Sequence, residues 1–399
     1  MRHLIGILSH GLIIAILTLF CFELSVRTFF ADRAPYVSPQ NLFWHHNPTL
    51  GWSTIPNSEG EYTNGLFLGR VHNDEYGNRK NSKDGTFRKE YKNIFVIGDS
   101  GTASLEVDDD ETVPALLEAK LRASGRMVNV INLGVRGYGT DQAVKRALEF
   151  ARIQEPEEVI YLFISNDLAD NRTLKTEWRV FSKSGFYREN PEETFNEIDS
   201  PVVSHPEGYS KKISFDEDCR PRIDEYLSPD YVTVIRHVRA QLLEYSFAAR
   251  MVGPYLSNLY WRDLWRRGVF NKNHESLTNN MAIEDDEKCA QYDLELVSWL
   301  IDSLKRISGL KKIRVVLTSN PSNLFEYLQG NTNIFSMFNL EDDARNLSLE
   351  TIQQFRCPAD PHFCETGNQW LADVIYNRFY AESELVLSDQ AEKKKESKR

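Results

Sequence analysis

The chain is 399 residues long, 41% hydrophobic and 26% charged, with a formal charge of −11 at pH 7. That length holds one large domain or two ordinary ones, and the composition excludes a wholly disordered chain. The acidic balance argues against a nucleic-acid binder, which carries a basic face, and the cluster Arg262, Arg266 and Arg267 reads as a solvated helix face.

The first predicted element is apolar. Leu4 to Phe22 contains no Asp, Glu, Lys or Arg, and at 1.5 Å per helical residue it would span roughly 28 Å, close to the thickness of a hydrocarbon core. It exceeds a usual signal-peptide apolar region, and no small-x-small cleavage site follows it. Residues 1–33 are therefore expected to form an uncleaved signal anchor, a single transmembrane helix, with a removed signal peptide as the alternative. Arg2 precedes the run and Arg27 and Arg33 follow it, so the positive-inside bias is weak. An anchor of this kind implies a single-pass membrane protein whose body lies on the periplasmic or extracytoplasmic side.

Residues 34–90, rich in Gly, Asn, Pro and aromatics, read as a lead-in of loops and short strands. Asn93–Ile97 is a short apolar run ending at Gly98, the pattern of a buried strand. Thr112–Ser124 carries Val113, Leu116, Leu117 and Leu121 at helical spacing; Val128–Leu133 reads as a second strand, Asp141–Arg152 as a second helix and Val159–Ile164 as a third strand. Such alternation predicts a parallel sheet covered by helices on both faces, a three-layer α/β/α sandwich. The pattern stops at about 172–310, where a polar, irregular stretch leads to predicted amphipathic helices at Tyr231–Met251 and Glu284–Ile307, with the aromatic and basic Tyr255–Phe270 between them. It resumes with a strand at Lys312–Leu317 and a last helix at Gly367–Tyr380. One α/β domain over 91–381 with a helical insertion is expected, followed by a charged, disordered tail at 382–399.

Cys21 lies in the apolar run, leaving Cys219, Cys289, Cys357 and Cys364 in the body. Four cysteines allow three pairings. Cys357 and Cys364 are close enough to clip a loop, which would leave Cys219 with Cys289; four buried thiols are the alternative. No Cys-x-x-Cys spacing suggests zinc, and His45-His46 has no further ligand at a fitting distance in the chain, so neither metal nor cofactor is expected.

Polar residues follow the predicted strands, where open parallel sheets build their sites. Gly98-Asp99-Ser100-Gly101 would present a serine on a tight turn. Asn132 to Thr140 holds Gly134, Gly137 and Gly139, a loop able to aim amide N–H groups inward; its spacing is not that of a dinucleotide fingerprint, and no Gly-Lys-Ser/Thr makes it a phosphate loop. Ser165-Asn166-Asp167 closes the third strand with a side-chain amide donor. Asp360-Pro361-His362 offers a carboxylate able to hold an imidazole.

These four blocks, in this order, resemble the SGNH (GDSL-like) hydrolase family over roughly residues 93–171 and 312–380, and Leu50-Gly51-Trp52, Asn73–Arg79, Asp109–Thr112 and Asn132–Gln142 resemble its bacterial membrane-anchored members. The resemblance implies that Ser100 is the nucleophile, His362 its general base and Asp360 the residue that orients the imidazole. It also implies an oxyanion hole from the N–H groups of Ser100 and Gly137 and the side chain of Asn166, with Asp167 as a brace. The sequence departs from the family pattern in two places: Ala359 stands where the commoner Asp-x-x-His spacing has its acid, and Ile164 replaces a glycine before the Asn. The expected activity is hydrolysis of carboxylic esters, O-acetyl or short acyl groups on a glycan or lipid. The alternatives are acyl transfer to a cell-envelope glycan and a catalytically silent anchored binding protein.

Overall fold

The computed structural model describes residues 2–29, 44–63, 66–174, 183–198, 209–227, 246, 248, 289–331, 335–358 and 360–381. Helix α1 runs from Arg2 to Phe29. Among the described residues no helix is long and apolar enough to cross a membrane. This overturns the expectation of a transmembrane anchor and a single-pass membrane protein. His10, Thr18, Glu23, Ser25 and Arg27 lie along the helix, and its later turns have protein partners. Glu23 pairs with Arg27 at 2.7 Å and accepts hydrogen bonds from Ser246 Oγ and the Ala248 N–H. Val26 is buried.

Two hairpins follow: β1 (Trp44–Asn47) with β2 (Gly51–Thr54), and β3 (Glu59–Thr63) with β4 (Leu68–His72). The α/β frame begins with β5 (Lys92–Gly98), the short helix α2 (Ser100–Ala103) and α3 (Val113–Ala123). Thr112 caps α3 by accepting from the Ala115 N–H, and Pro114 occupies the first turn, where its missing N–H costs nothing. Then come β6 (Val128–Asn132), α4 (Thr140–Phe150), β7 (Pro156–Phe163) and α5 (Asn166–Arg172).

The inserted region is not simply helical. Its described part holds two antiparallel hairpins, β8 (Gly185–Tyr187) with β9 (Asn196–Ile198) and β10 (Tyr209–Phe215) with β11 (Pro221–Leu227). The helix expected at Tyr231–Met251 and the Tyr255–Phe270 stretch lie outside the described residues except for 246 and 248, and the expected tail at 382–399 lies wholly outside them. Of the helix expected at Glu284–Ile307, the described part is α6 (Ala290–Ser303), extended by a tighter turn to Arg306. The chain closes with β12 (Lys312–Leu317), α7 (Leu324–Asn331), β13 (Phe335–Asn339), α8 (Leu340–Ala344), α9 (Leu349–Gln354) and α10 (Glu365–Tyr376).

Five strands form one parallel sheet in the order β13-β12-β7-β5-β6. Period-two alternation divides its side chains between two cores. Phe95 and Ile97 face α4, α6 and α7, whereas Ile94 and Val96 face α3 and α10. The result is a helix–sheet–helix sandwich. Counted from β6 in chain order the strands run 2-1-3-4-5, so the direction of winding reverses between β5 and β7, where such sheets open a crevice at their carboxyl ends.

A third, smaller core joins the early hairpins to that end of the sheet. Leu50, Trp52 and Val71 pack with Ala103, Leu105, Val135 and Tyr138. Buried Arg79 donates from Nη1 to the Ala103 and Ser104 carbonyls, from Nη2 to that of Val107, and from Nε to Asp109 at 3.1 Å. It ties down the segment that follows α2.

Candidate active site

Ser100 stands at the first position of α2, directly after β5. Gly98 makes the turn possible: its φ is 155°, and a Cβ there would lie 2.3 Å from Thr102 Oγ1 and 2.8 Å from the Leu162 carbonyl. Asp99 caps the helix, its Oδ1 accepting from the Gly101 N–H at 2.9 Å. Its Oδ2 accepts from Ser100 Oγ at 3.1 Å and from Asn166 Nδ2 at 3.1 Å. Buried Asp99 therefore holds the ends of β5 and β7 together and brings Ser100 and Asn166 to one oxygen. Asn166 also donates to Asp170 at 3.0 Å.

Asp167, next in the chain, is wholly buried. Burial first, and then the charge of Asp99, push its carboxyl well above the ordinary carboxylate range. It accepts from the Tyr161 hydroxyl at 2.7 Å and from the Ile164 N–H at 3.2 Å. These bonds brace the turn between β7 and α5.

Gly137 lies in the loop between β6 and α4 with φ 73°, a left-handed conformation that a side chain disfavours. Its neighbour Arg136 reaches into the site, donating from Nη1 to Glu106 Oε1 at 2.9 Å and to the Tyr62 hydroxyl at 2.8 Å.

Asp360 and His362 are in contact. His362 Nδ1 lies 2.5 Å from Asp360 Oδ1, and the His362 N–H donates to the same oxygen at 3.0 Å. The loop that carries them is clipped by the disulfide between Cys357 and Cys364; a second disulfide joins Cys219 and Cys289. Burial alone would raise the Asp360 carboxyl, but the hydrogen bond and charge of His362, with Arg136 behind them, hold it below its ordinary value. Burial alone would lower His362, but the charge of Glu106 and the Asp360 bond carry it above its ordinary value against the opposing charge of Arg136.

Glu106 was not anticipated. Its Oε1 lies 3.2 Å from His362 Nδ1, and its side chain is fully buried. A lone acid between Leu105 and Val107, outside every short motif, offered no spacing to read. Through it the separate pieces connect: Glu106 follows Ser100 by six positions, touches His362, and binds the residue before Gly137. The Ser100 hydroxyl donates to Asp99, and no hydrogen bond joins it to His362.

Glu106, Asp360 and His362 are also the group among the described residues with donors enough for a metal ion, their ligand atoms lying within 4.8 Å of one another. The donor set fits a proton better than a metal. The Arg136 guanidinium already occupies Glu106 Oε1, and the ring nitrogen that would ligate is the one held by Asp360.

No family model matches the chain, and no curated protein matches it. Among solved structures it is similar to AlinE4, an SGNH-hydrolase family esterase, at 34% identity over 21% of this chain and 44% of that one, with a TM-score of 0.19. Two point variants of the same esterase match at 32% and 33% identity, over 21% of this chain and 46% of theirs, with a TM-score of 0.19. The chain thus matches less than half the length of these esterases, and the superposition is too slight to carry their fold or activity over to it.

Proposed function

We propose that the chain hydrolyses carboxylic esters, with Ser100 as nucleophile, His362 as general base and Asp360 as the acid that orients it. The observation that carries this reading is the Asp360–His362 pair, 2.5 Å apart at Nδ1. Donation of the Nδ1 proton to the carboxylate leaves Nε2 with a free lone pair, the tautomer a general base needs. In the reaction the serine hydroxyl turns from Asp99 to Nε2, and its oxygen attacks the ester carbonyl as the proton passes to the ring. The tetrahedral oxyanion is received by the Ser100 and Gly137 N–H groups and by Asn166 Nδ2, which gives up its bond to Asp99 or to Asp170 to donate there. Collapse breaks the bond to the alcohol, which takes the proton from His362; water then repeats the steps to release the acid. Loss of one oxyanion donor typically costs about 10²–10³ in turnover.

The substrates proposed are esters of short acyl groups. A Cβ at Gly101 would lie 2.5 Å from Ile164 Cδ1, so Ile164 crowds the turn beside the nucleophile. The test is a series of acyl esters of increasing chain length, with and without glycan acceptors. Wild type should turn over acetyl and other short esters, and Ser100→Ala should not. Turnover confined to long-chain esters, or unchanged in Ser100→Ala, would refute the reading. Acyl products formed only with a glycan acceptor would make the chain a transferase.

A further inference from the structure

Glu106 has no part in the reaction just described, yet it sits against the imidazole. Its side chain is wholly buried, and among the described residues Oε2 has no hydrogen-bond partner. Burying a carboxylate with one oxygen unsatisfied is expensive. Arg136 offsets that cost at Oε1 only.

We propose that Glu106 is a second acidic positioning residue for His362, which shares the Nδ1 proton with Asp360 and keeps the ring turned with Nε2 toward Ser100. The proposal rests on the hydrolytic reading. His362 Nδ1 hydrogen-bonds Asp360 Oδ1 at 2.5 Å and also lies 3.2 Å from Glu106 Oε1, and the two carboxylates come from separate segments of the chain. Two anchors on one nitrogen restrict ring rotation more than one anchor does. The second comes from the rigid segment that Arg79 ties down rather than from the His362 loop itself.

The charged groups facing His362 are Asp360 on its own loop, Glu106 after α2, and Arg136 from the β6–α4 loop, with the Tyr62 hydroxyl behind Arg136. The two acids favour the protonated ring, and Arg136 disfavours it. Removing the Glu106 charge must therefore move the His362 titration to lower pH, and the acid limb of kcat/KM with it, because the base acts when neutral.

The decisive measurement is the His362 titration by NMR on protein with isotope-labelled histidines in the Ser100→Ala background, which does not depend on turnover. Glu106→Gln should titrate at lower pH, and Glu106→Asp should retain part of the elevation. An unchanged midpoint in folded Glu106→Gln overturns the proposal. If that variant does not fold, Arg136→Gln is compared with Glu106→Gln/Arg136→Gln, whose buried pair is neutral on both sides. The double variant must titrate lower, and equality overturns the proposal. In active protein, Asp360→Asn/Glu106→Gln should react with a fluorophosphonate about tenfold more slowly than Asp360→Asn, a fraction of the ~10²–10⁴ a general base supplies. Equal rates count against Glu106. A wild type that never reacts, with the His362 titration still shifted, would sink the hydrolytic reading alone.

Discussion

Asp167 shows how one side chain can be read from its surroundings. With burial and the Asp99 charge holding its carboxyl well above the ordinary carboxylate range, Asp167 takes up a proton on folding. Between its unfolded and folded values the native state binds more protons than the unfolded one, so this group's contribution to stability falls as pH rises through that window. Asp167→Asn should therefore gain thermal stability relative to wild type on going from about pH 4 to neutrality. A relative loss would show an ionised carboxylate. Asp167→Ala removes the acceptor of the buried Tyr161 hydroxyl and of the half-buried Ile164 N–H and should cost about 1–3 kcal/mol at any pH. At this scale the sequence spoke through short motifs. Ser100, Asn166, Asp360 and His362 each followed a strand or sat in a turn where the chemistry could be named. Glu106 and Arg136 could not be found that way, because their partnership spans 30 positions and depends on a loop path that no local pattern encodes.

At the level of elements, the loop from Cys357 to Cys364 deserves its disulfide. Its backbone is closed by the Cys357 N–H to the His362 carbonyl at 2.9 Å and by the Asp360 N–H to the Cys357 carbonyl at 3.1 Å. A seven-residue separation gives the bond a chain-entropy contribution of about 2 kcal/mol. Its greater use is to limit where Asp360 and His362 travel. Cys357→Ser/Cys364→Ser, which spares the Cys219–Cys289 bond, should keep the helix and sheet signal by circular dichroism while losing about ten- to a hundredfold in ester turnover. Full activity in that variant would show that the loop needs no clip. Elements with a clear hydrophobic period were legible: β5, α3, β6, α4, β7, β12 and α10 all stand within a few residues of where periodicity puts them. β13 was missed because Phe335-Ser336-Met337-Phe338-Asn339 is short and interrupted by polar residues, and its strand character comes from pairing along β12. The hairpins β8–β9 and β10–β11 were missed for a like reason: each strand finds its partner beyond a polar turn, and the core contacts made by Phe186, Ile213 and Phe215 are too few to set a readable period.

Across the whole molecule, the reversal of winding between β5 and β7 gathers residues that the chain holds far apart. The lead-in, read from sequence as loops and short strands, also supports the site. The Tyr138 hydroxyl donates to the Trp52 carbonyl at 2.6 Å, Gln142 donates to the Leu50 carbonyl at 2.6 Å, and Tyr62 stands behind Arg136. The apolar run near the start misled, because freedom from charge over Leu4–Phe22 does not by itself make a span, and the later turns of α1 have protein partners instead. The most direct test of the account is labelling of the folded full chain with a fluorophosphonate, followed by mapping of the modified peptide. The adduct should fall on Ser100, vanish in Ser100→Ala, and form about 10²–10⁴-fold more slowly in His362→Ala. An adduct elsewhere, or one that forms as fast without His362, would contradict it.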